Sequence, residues 1–62
     1  MNKLYVEDLN VYEHRLDGEI TLLGRLRKLR DDNEIVFVPE RDVFLAKDNL
    51  EQLTNILENW NV

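Results

Sequence analysis

The sequence contains no cysteine and no serine, and only one histidine. Without cysteine the chain has no disulfide and no thiolate metal site, and one histidine cannot form the cluster of ligands that zinc needs. Threonine occurs only at Thr21 and Thr54. His14 has no partner at a spacing diagnostic of acid–base chemistry. We therefore expect a protein that is not an enzyme and that has no catalytic residues, no metal and no cofactor.

Long apolar runs and glycine-rich loops are also missing. No apolar stretch approaches the roughly 18 residues that a membrane-spanning helix needs. The N-terminal stretch MNKLYVEDLN carries acidic residues where a secretory signal has its apolar core. The two glycines, Gly18 and Gly24, are isolated, so no phosphate-binding loop is present. We expect a cytoplasmic protein that does not bind membranes.

The composition that is present is typical of one small folded domain. The 62 residues are 44% hydrophobic and 34% charged, which indicates a folded chain and not a disordered one. A chain of this length buries only about 60% of the surface that it exposes when unfolded. Domains this small often depend on disulfides, metals or a partner chain. Because the first two are excluded, we expect one domain over residues 1–62 that self-associates as a homodimer.

The C-terminal part predicts an amphipathic helix from Asn49 to Asn59 or Trp60. Asp48 and Glu51 have the spacing of a capping box, in which each side chain bonds the backbone N–H of the other residue. Apolar residues then follow at helical spacing and form one stripe: Leu50, Leu53, Ile56, Leu57 and Trp60. We expect this stripe to pack on a sheet.

The preceding part predicts that sheet. Leu16-Asp17-Gly18 is interpreted as a three-residue loop with Gly18 in the left-handed conformation, which pairs Arg15 with Glu19, and also His14 with Ile20 and Tyr12 with Leu22. Strands are predicted over residues 11–16, 19–30 and 34–38, with a less regular extended piece at 4–9, a polar turn at 31–33 and a short edge strand at 43–46. Helical spacing of leucines leaves a helix open as the alternative for residues 19–30. The predicted fold is α+β: a small antiparallel meander of three to four strands packed against one C-terminal helix.

One predicted strand has apolar residues on both faces. Ile35, Val36, Phe37 and Val38 are consecutive, so both faces of this strand should be covered. One helix covers one face only, and the other face should therefore bind a partner. We assign four residues to that partner-binding face: Leu23, Leu29, Ile35 and Phe37. This predicts a protein-interaction module that docks on a larger protein, as do regulators, antitoxins and virus-encoded inhibitors of similar size and charge.

The charge distribution supports an alternative function. The net charge is −5, yet residues 25–30 alone carry +4, from Arg25, Arg27, Lys28 and Arg30. A basic two-stranded ribbon can bind nucleic acid through its phosphates. The acidic remainder of the chain opposes this, and on a strand Arg25 and Arg27 would lie on the opposite face from Lys28 and Arg30. Nucleic-acid binding or transcription regulation is thus the second hypothesis.

Overall fold

The structure, a computed structural model, describes residues 2–31 and 34–60. Four strands are followed by one helix: β1 (Lys3–Glu7), β2 (Asn10–His14), β3 (Ile20–Lys28), β4 (Ile35–Pro39) and α1 (Lys47–Trp60). The strands form one antiparallel sheet in the order β1-β2-β3-β4. The predicted α+β meander with a C-terminal helix is confirmed, and the helical alternative for residues 19–30 is wrong because β3 occupies most of that segment.

The β2–β3 hairpin has the predicted loop. Gly18 has a φ of 94° and its N–H donates to the carbonyl of Arg15 at 3.0 Å. Tyr12 pairs with Leu22 and His14 with Ile20. The Arg15 N–H donates to the Glu19 carbonyl at 2.8 Å, and their side chains form an ion pair at 3.8 Å. Glycine at the left-handed position and opposite charges beside it together set this register.

The β1–β2 hairpin closes through two residues, Asp8 and Leu9, which lie between the paired residues Glu7 and Asn10. Both have positive φ, 52° and 67°, as a type I′ turn requires. This backbone suits the right-handed twist of the strands, but it is uncommon for a leucine. The Leu9 carbonyl also accepts a hydrogen bond from the Leu26 N–H at 2.7 Å, which ties the turn to β3.

An irregularity in the β2–β3 pairing decides which side chains share a face. Val11 pairs with Gly24, but the next residue of β2, Tyr12, pairs with Leu22. Leu23 is therefore an extra residue, as in a β-bulge. Because Val11 and Tyr12 point to opposite faces, their partners Gly24 and Leu22 do so too, although they are two positions apart. The alternation of faces along β3 reverses at Leu23.

The core lies between one face of the sheet and α1. Val11, Leu26 and Leu53 are buried in contact with one another. Half-buried side chains from the same face of the sheet, the β4–α1 connection and the helix surround them: Leu4, Val6, Ile35, Phe37, Leu45, Ile56 and Leu57. The predicted burial of the helix stripe is confirmed for its middle, whereas Leu50 and Trp60 are exposed.

The start of the helix differs from the prediction. The first helical bond joins the Leu50 N–H to the Ala46 carbonyl at 3.0 Å, and Asn49 Oδ1 accepts from the Ala46 N–H at 2.9 Å. Ala46 is thus the N-cap residue, and the side chain three positions later bonds back to it. The predicted capping box of Asp48 and Glu51 is wrong, because Asp48 already lies within the helix.

Two further predictions concern connections. The short strand expected at 43–46 is absent from the described residues, where this segment is irregular and follows Asp42 at a φ of 62°. For the polar turn expected at 31–33, residues 32 and 33 lie outside the described residues. The hairpin around them is closed by a hydrogen bond from the Leu29 N–H to the Glu34 carbonyl at 2.8 Å.

The helix is also joined to edge strand β1 through polar side chains. Gln52 Oε1 accepts from the Leu4 N–H, and Gln52 Nε2 donates to the Asn2 carbonyl, each at 2.9 Å. The side-chain amide therefore forms hydrogen bonds with backbone groups on the outer edge of β1, as a neighbouring strand would. Nearby, Asn49 Nδ2 donates to Glu13 Oε2 at 2.8 Å. These bonds fix how the helix lies on the sheet.

Candidate functional site

The face of the sheet opposite α1 has no secondary-structure element packed on it among the described residues. Pairing across the strands places an apolar set on this face: Tyr5, Tyr12, Ile20, Leu22, Val36 and Val38. Polar and charged residues share it: Lys3, Glu7, Asn10, His14, Arg25 and Arg27. We call this surface the uncovered face.

Two tyrosines form an aromatic centre on the half of the uncovered face that β1 and β2 supply, with Tyr5 on the edge strand β1. Tyr5 and Tyr12 are paired on β1 and β2, and their rings stack with centroids 5.4 Å apart and planes inclined by 23°. Both side chains are half-buried although no helix covers them, because each shields the other. Such a pair is a rigid apolar surface that loses little conformational entropy when a partner binds it.

Aliphatic side chains extend this centre toward β3 and β4. Leu22 lies beside Tyr12 in the pairing and is 37% exposed, while Ile20 and Val38 are 57% and 40% exposed. Exposed apolar residues are ordinary when they are scattered singly. Here they share one face of one sheet with the tyrosine pair, and contiguous patches of this kind mark interaction sites.

Arginines border the apolar centre. Arg25 is paired with Asn10 on one side and Val38 on the other, and Arg27 is paired with Val36. Arg25 makes an ion pair with Glu40 at 3.9 Å, between side chains that are 63% and 39% exposed. An exposed pair at this distance contributes little to stability, so Arg25 remains able to exchange Glu40 for an acidic group of a partner.

Two shallow depressions lie at opposite ends of the uncovered face. One, of about 350 Å³, is lined by Lys3, His14, Arg15, Leu16 and Gly18. The other, of about 440 Å³, is lined by Arg27, Lys28, Leu29, Arg30, Val36 and Val38. In the part of the chain that the structure describes, no acidic side chain lines either depression. Five of the chain's eight lysines and arginines line them, so both have a basic lining.

The predicted partner-binding face is not the uncovered one. Leu23 is buried, with 4% of its surface exposed, and both Ile35 and Phe37 pack against the core cluster under the helix. Leu29 lies just beyond β3, is partly exposed, and borders the second depression. The assignment of Leu23, Ile35 and Phe37 to an open surface is wrong for two reasons. The bulge at Leu23 reverses the alternation of β3, and the regular β3–β4 pairing places Phe37 opposite Leu26 and Ile35 opposite Lys28, on the face under the helix.

The predicted basic cluster is partly brought together. Arg25 and Arg27 project from the uncovered face, whereas Lys28 pairs with Ile35 on the helix side. Arg30 lies in the turn after β3. Arg27, Lys28 and Arg30 nevertheless line one depression at the end of the β3–β4 hairpin, because there the strands end and side chains of both faces reach the same rim.

Sequence reasoning missed the residues that form the centre of this surface. Tyr12 and Leu22 were predicted to pair, but only as neighbours in a hairpin, and no role was predicted for Tyr5. A signal was available, since the Leu16-Asp17-Gly18 loop already places Tyr12 opposite Leu22. Phe44, with 93% of its surface exposed in the β4–α1 connection, was also missed, and no pattern in the sequence indicated its exposure.

Groups of metal-binding side chains and membrane-spanning helices are both absent from the described residues. Within residues 2–31 and 34–60, no three His, Asp or Glu side chains are placed to hold a metal ion. His14 is exposed and is paired with Lys3 and Ile20. Over the same residues, no helix has the length and apolar content that crossing a bilayer requires. What the described surface provides is an apolar centre with basic ends.

No protein-family model, curated protein or solved structure matches this chain.

Proposed function

We propose that this chain is a non-enzymatic protein-interaction module that docks on a larger protein through the uncovered face. The observation that carries the proposal is that the one helix covers one face of the sheet and leaves the stacked tyrosines and their aliphatic neighbours on the other. A single chain leaves this surface partly exposed. Full burial of an exposed aliphatic side chain is worth about 1.5–3 kcal/mol, and a partner would gain the fraction of this that corresponds to the area still exposed.

The residue types on the uncovered face support binding. Tyrosine and arginine are enriched among the residues that dominate the binding energy of interfaces. Here Tyr5, Tyr12, Arg25 and Arg27 share one face of the sheet, with Arg27 farther along β3 from the tyrosines than Arg25. The rim of polar groups, Asn10 among them, is the usual boundary of such a patch. A protein of this kind acts by occupying part of its partner's surface, which makes it a modulator or an inhibitor.

A second copy of the chain is the alternative to a larger protein as the occupant of the uncovered face. The predicted homodimer would stack two uncovered faces and bury both tyrosine pairs. Sedimentation of the purified chain over a concentration series separates the two cases. A mass that stays at 7.4 kDa supports a different protein as the partner, and a dimer that Leu22→Asp dissociates assigns the face to self-association.

Nucleic acid is the second candidate, because the structure brings Arg25 and Arg27 onto the same face as the tyrosines. Single-stranded nucleic acids bind sheets through aromatic stacking and basic side chains. The net charge of −5 opposes this binding. Binding of mixed-sequence DNA that weakens steeply with salt and is lost in Arg27→Ala would favour it over a protein partner.

Photo-crosslinking in the native cells tests the proposal. A photoreactive residue at Val38 reports on the uncovered face, and the matched control carries it at Asn55, which is exposed on the helix. We expect an adduct heavier than a dimer from the Val38 position, resistant to nuclease and missing from the Asn55 position. Equal adducts from both positions, or none, would refute the assignment of the face.

A further inference from the structure

We infer that the segment of the partner protein that docks on the uncovered face is an extended acidic peptide, whose acidic groups enter the two basic depressions while apolar side chains between them pack on the tyrosines. This inference rests on the proposed function and names the chemistry of the partner.

The two basic depressions lie at the two ends of β3. Lys3 and His14 line the first, and His14 is paired with Ile20 at the start of β3. Arg27 and Lys28 line the second at the end of the same strand. Ile20 and Arg27 are seven positions apart, but the extra residue of the bulge adds no length to the strand. At about 3.3 Å for each of the other six residues, the distance between the two ends is roughly 20 Å.

The apolar centre lies between these ends. Tyr12 is paired with Leu22. The tyrosine pair therefore lies level with a residue two positions after Ile20 and five positions before Arg27 on β3. A ligand that follows β3 meets cations, then apolar side chains, then cations again. An extended chain of about six residues covers the distance, and alternate side chains would face the sheet.

Charge favours an acidic ligand over any other at this surface. The chain carries −5 overall, yet three of its cations, Lys3, Arg25 and Arg27, project from the uncovered face against Glu7 and the Arg25-bound Glu40. Arg15, which forms an ion pair with Glu19, adds to one end. Lys28 and Arg30 add to the other end, where Glu34 lies opposite Leu29. The potential of a surface depends on charges within about 10 Å at 0.1 M salt, so this face attracts acids that the acidic remainder of the chain repels.

The packing of the tyrosines favours a peptide over single-stranded nucleic acid. Bases bind by stacking on open aromatic rings, but Tyr5 and Tyr12 stack on each other, and each therefore lacks one free ring face. The neighbours of the pair are aliphatic: Ile20, Leu22, Val36 and Val38. Aliphatic and aromatic side chains of a peptide fit this surface better than bases joined by a continuous row of phosphates.

Fluorescence anisotropy with a defined peptide tests the inference. The probe is a labelled peptide of about ten residues, with two glutamates at each end and alternating leucine and serine between them, long enough to reach both depressions. The control peptide has the same composition with all four glutamates in the middle. We expect the first peptide to bind more tightly than the control, and to lose affinity as salt is added.

Charge-reversal variants locate the binding. Lys3→Glu and Arg27→Glu each convert an attraction at one end into a repulsion, and each should weaken binding by about five-fold or more. Lys47→Glu changes the net charge equally but lies on the helix, where its side chain is 91% exposed, and should leave affinity within about two-fold. Thermal melts confirm that all three variants fold.

The outcomes separate this inference from the proposed function. Equal affinity for the two peptides, or equal losses in Arg27→Glu and Lys47→Glu, would overturn the acidic peptide, while the crosslinks at Val38 would still support a protein partner of another chemistry. Tighter binding of a thymidine oligonucleotide than of the peptide would replace the peptide with nucleic acid. Absence of face-specific crosslinks would remove the proposed function itself.

Discussion

Replacement of Gly24 by alanine should strongly destabilise this protein. Gly24 is buried in β3 next to the bulge, and its φ lies outside the left-handed region. Glycine is therefore needed here because a side chain would not fit, and not because the backbone conformation requires it. A Cβ at this position would collide with the main-chain carbonyl of Val38 and would lie 2.7 Å and 2.8 Å from two ring carbons of Phe37.

The magnitude follows from what has to move. The Phe37 ring must shift by about 1 Å, and it packs on the core beside Leu26. The Val38 carbonyl belongs to the paired strand and cannot rotate away, so the β3–β4 pairing must distort as well. Overpacking alone costs about 1–3 kcal/mol, and partial loss of the Phe37 packing adds to this. We expect a loss of about 3 kcal/mol, against a total of roughly 3–9 kcal/mol for 62 residues.

Thermal unfolding followed by circular dichroism measures this loss. A change of about 3 kcal/mol corresponds to a Tm lower by roughly 12–24 °C in a domain of this size. Gly18→Ala is the matched control, because no atom lies within 4 Å of its added Cβ and only its φ of 94° is unfavourable. The control should lose about 1 kcal/mol. If Gly24→Ala melts at the same temperature as Gly18→Ala, or above it, the close packing of Phe37 over Gly24 is wrong.

Three further changes test other parts of the fold. Leu9→Gly should stabilise the protein by roughly 0.5–1 kcal/mol, because glycine relieves the positive φ of the β1–β2 turn, and a lower urea midpoint would contradict this. Leu53→Ala should destabilise it by about 2–5 kcal/mol through a cavity at the helix–sheet contact, and an unchanged melt would show that the helix does not pack there. Asn49→Ala should cost about 1–3 kcal/mol, since the Glu13 carboxylate and the Ala46 N–H each lose a partner, whereas Asn55→Ala should change the urea midpoint little.

The sequence predicted the elements of this fold because their signals are local. The spacing of Leu53, Ile56 and Leu57 depends on one helix only. The Asp17-Gly18 turn depends on a few bonded neighbours, and it set the pairing of β2 with β3 as far as Tyr12 and Leu22. Local signals of this kind do not require knowledge of what lies across the sheet.

The faces of the sheet could not be predicted, because one extra residue changes them. Alternation along β3 assigns Leu23 and Arg25 to the same face, but the bulge separates them and buries Leu23. Gly24 is the residue that permits close packing at this point, and a glycine inside a strand often marks a bulge. The predicted interaction surface fell on the wrong face also because the β3–β4 pairing places Ile35 and Phe37 opposite Lys28 and Leu26, under the helix.

The helix start was mispredicted for a related reason. Asp48 and Glu51 have the right spacing for a capping box, but Asn49 is held by both Glu13 on β2 and the Ala46 N–H. A contact between residues 36 positions apart leaves no local pattern in the sequence. Asn49 does lie four positions before Leu53, on the same side of the helix, which in hindsight indicates that it faces the sheet.

The pairing of Gln52 with Asn2 and Leu4 has a consequence for the folding of the sheet. The side-chain amide that bonds the outer edge of β1 is supplied by a helix that follows all four strands in the chain. Before α1 has packed on the sheet, the backbone groups at this edge have no Gln52 amide to bond, and another polypeptide can add there as a further strand. A variant that cannot form α1 would thus expose an open strand edge and should polymerise more readily than the intact fold.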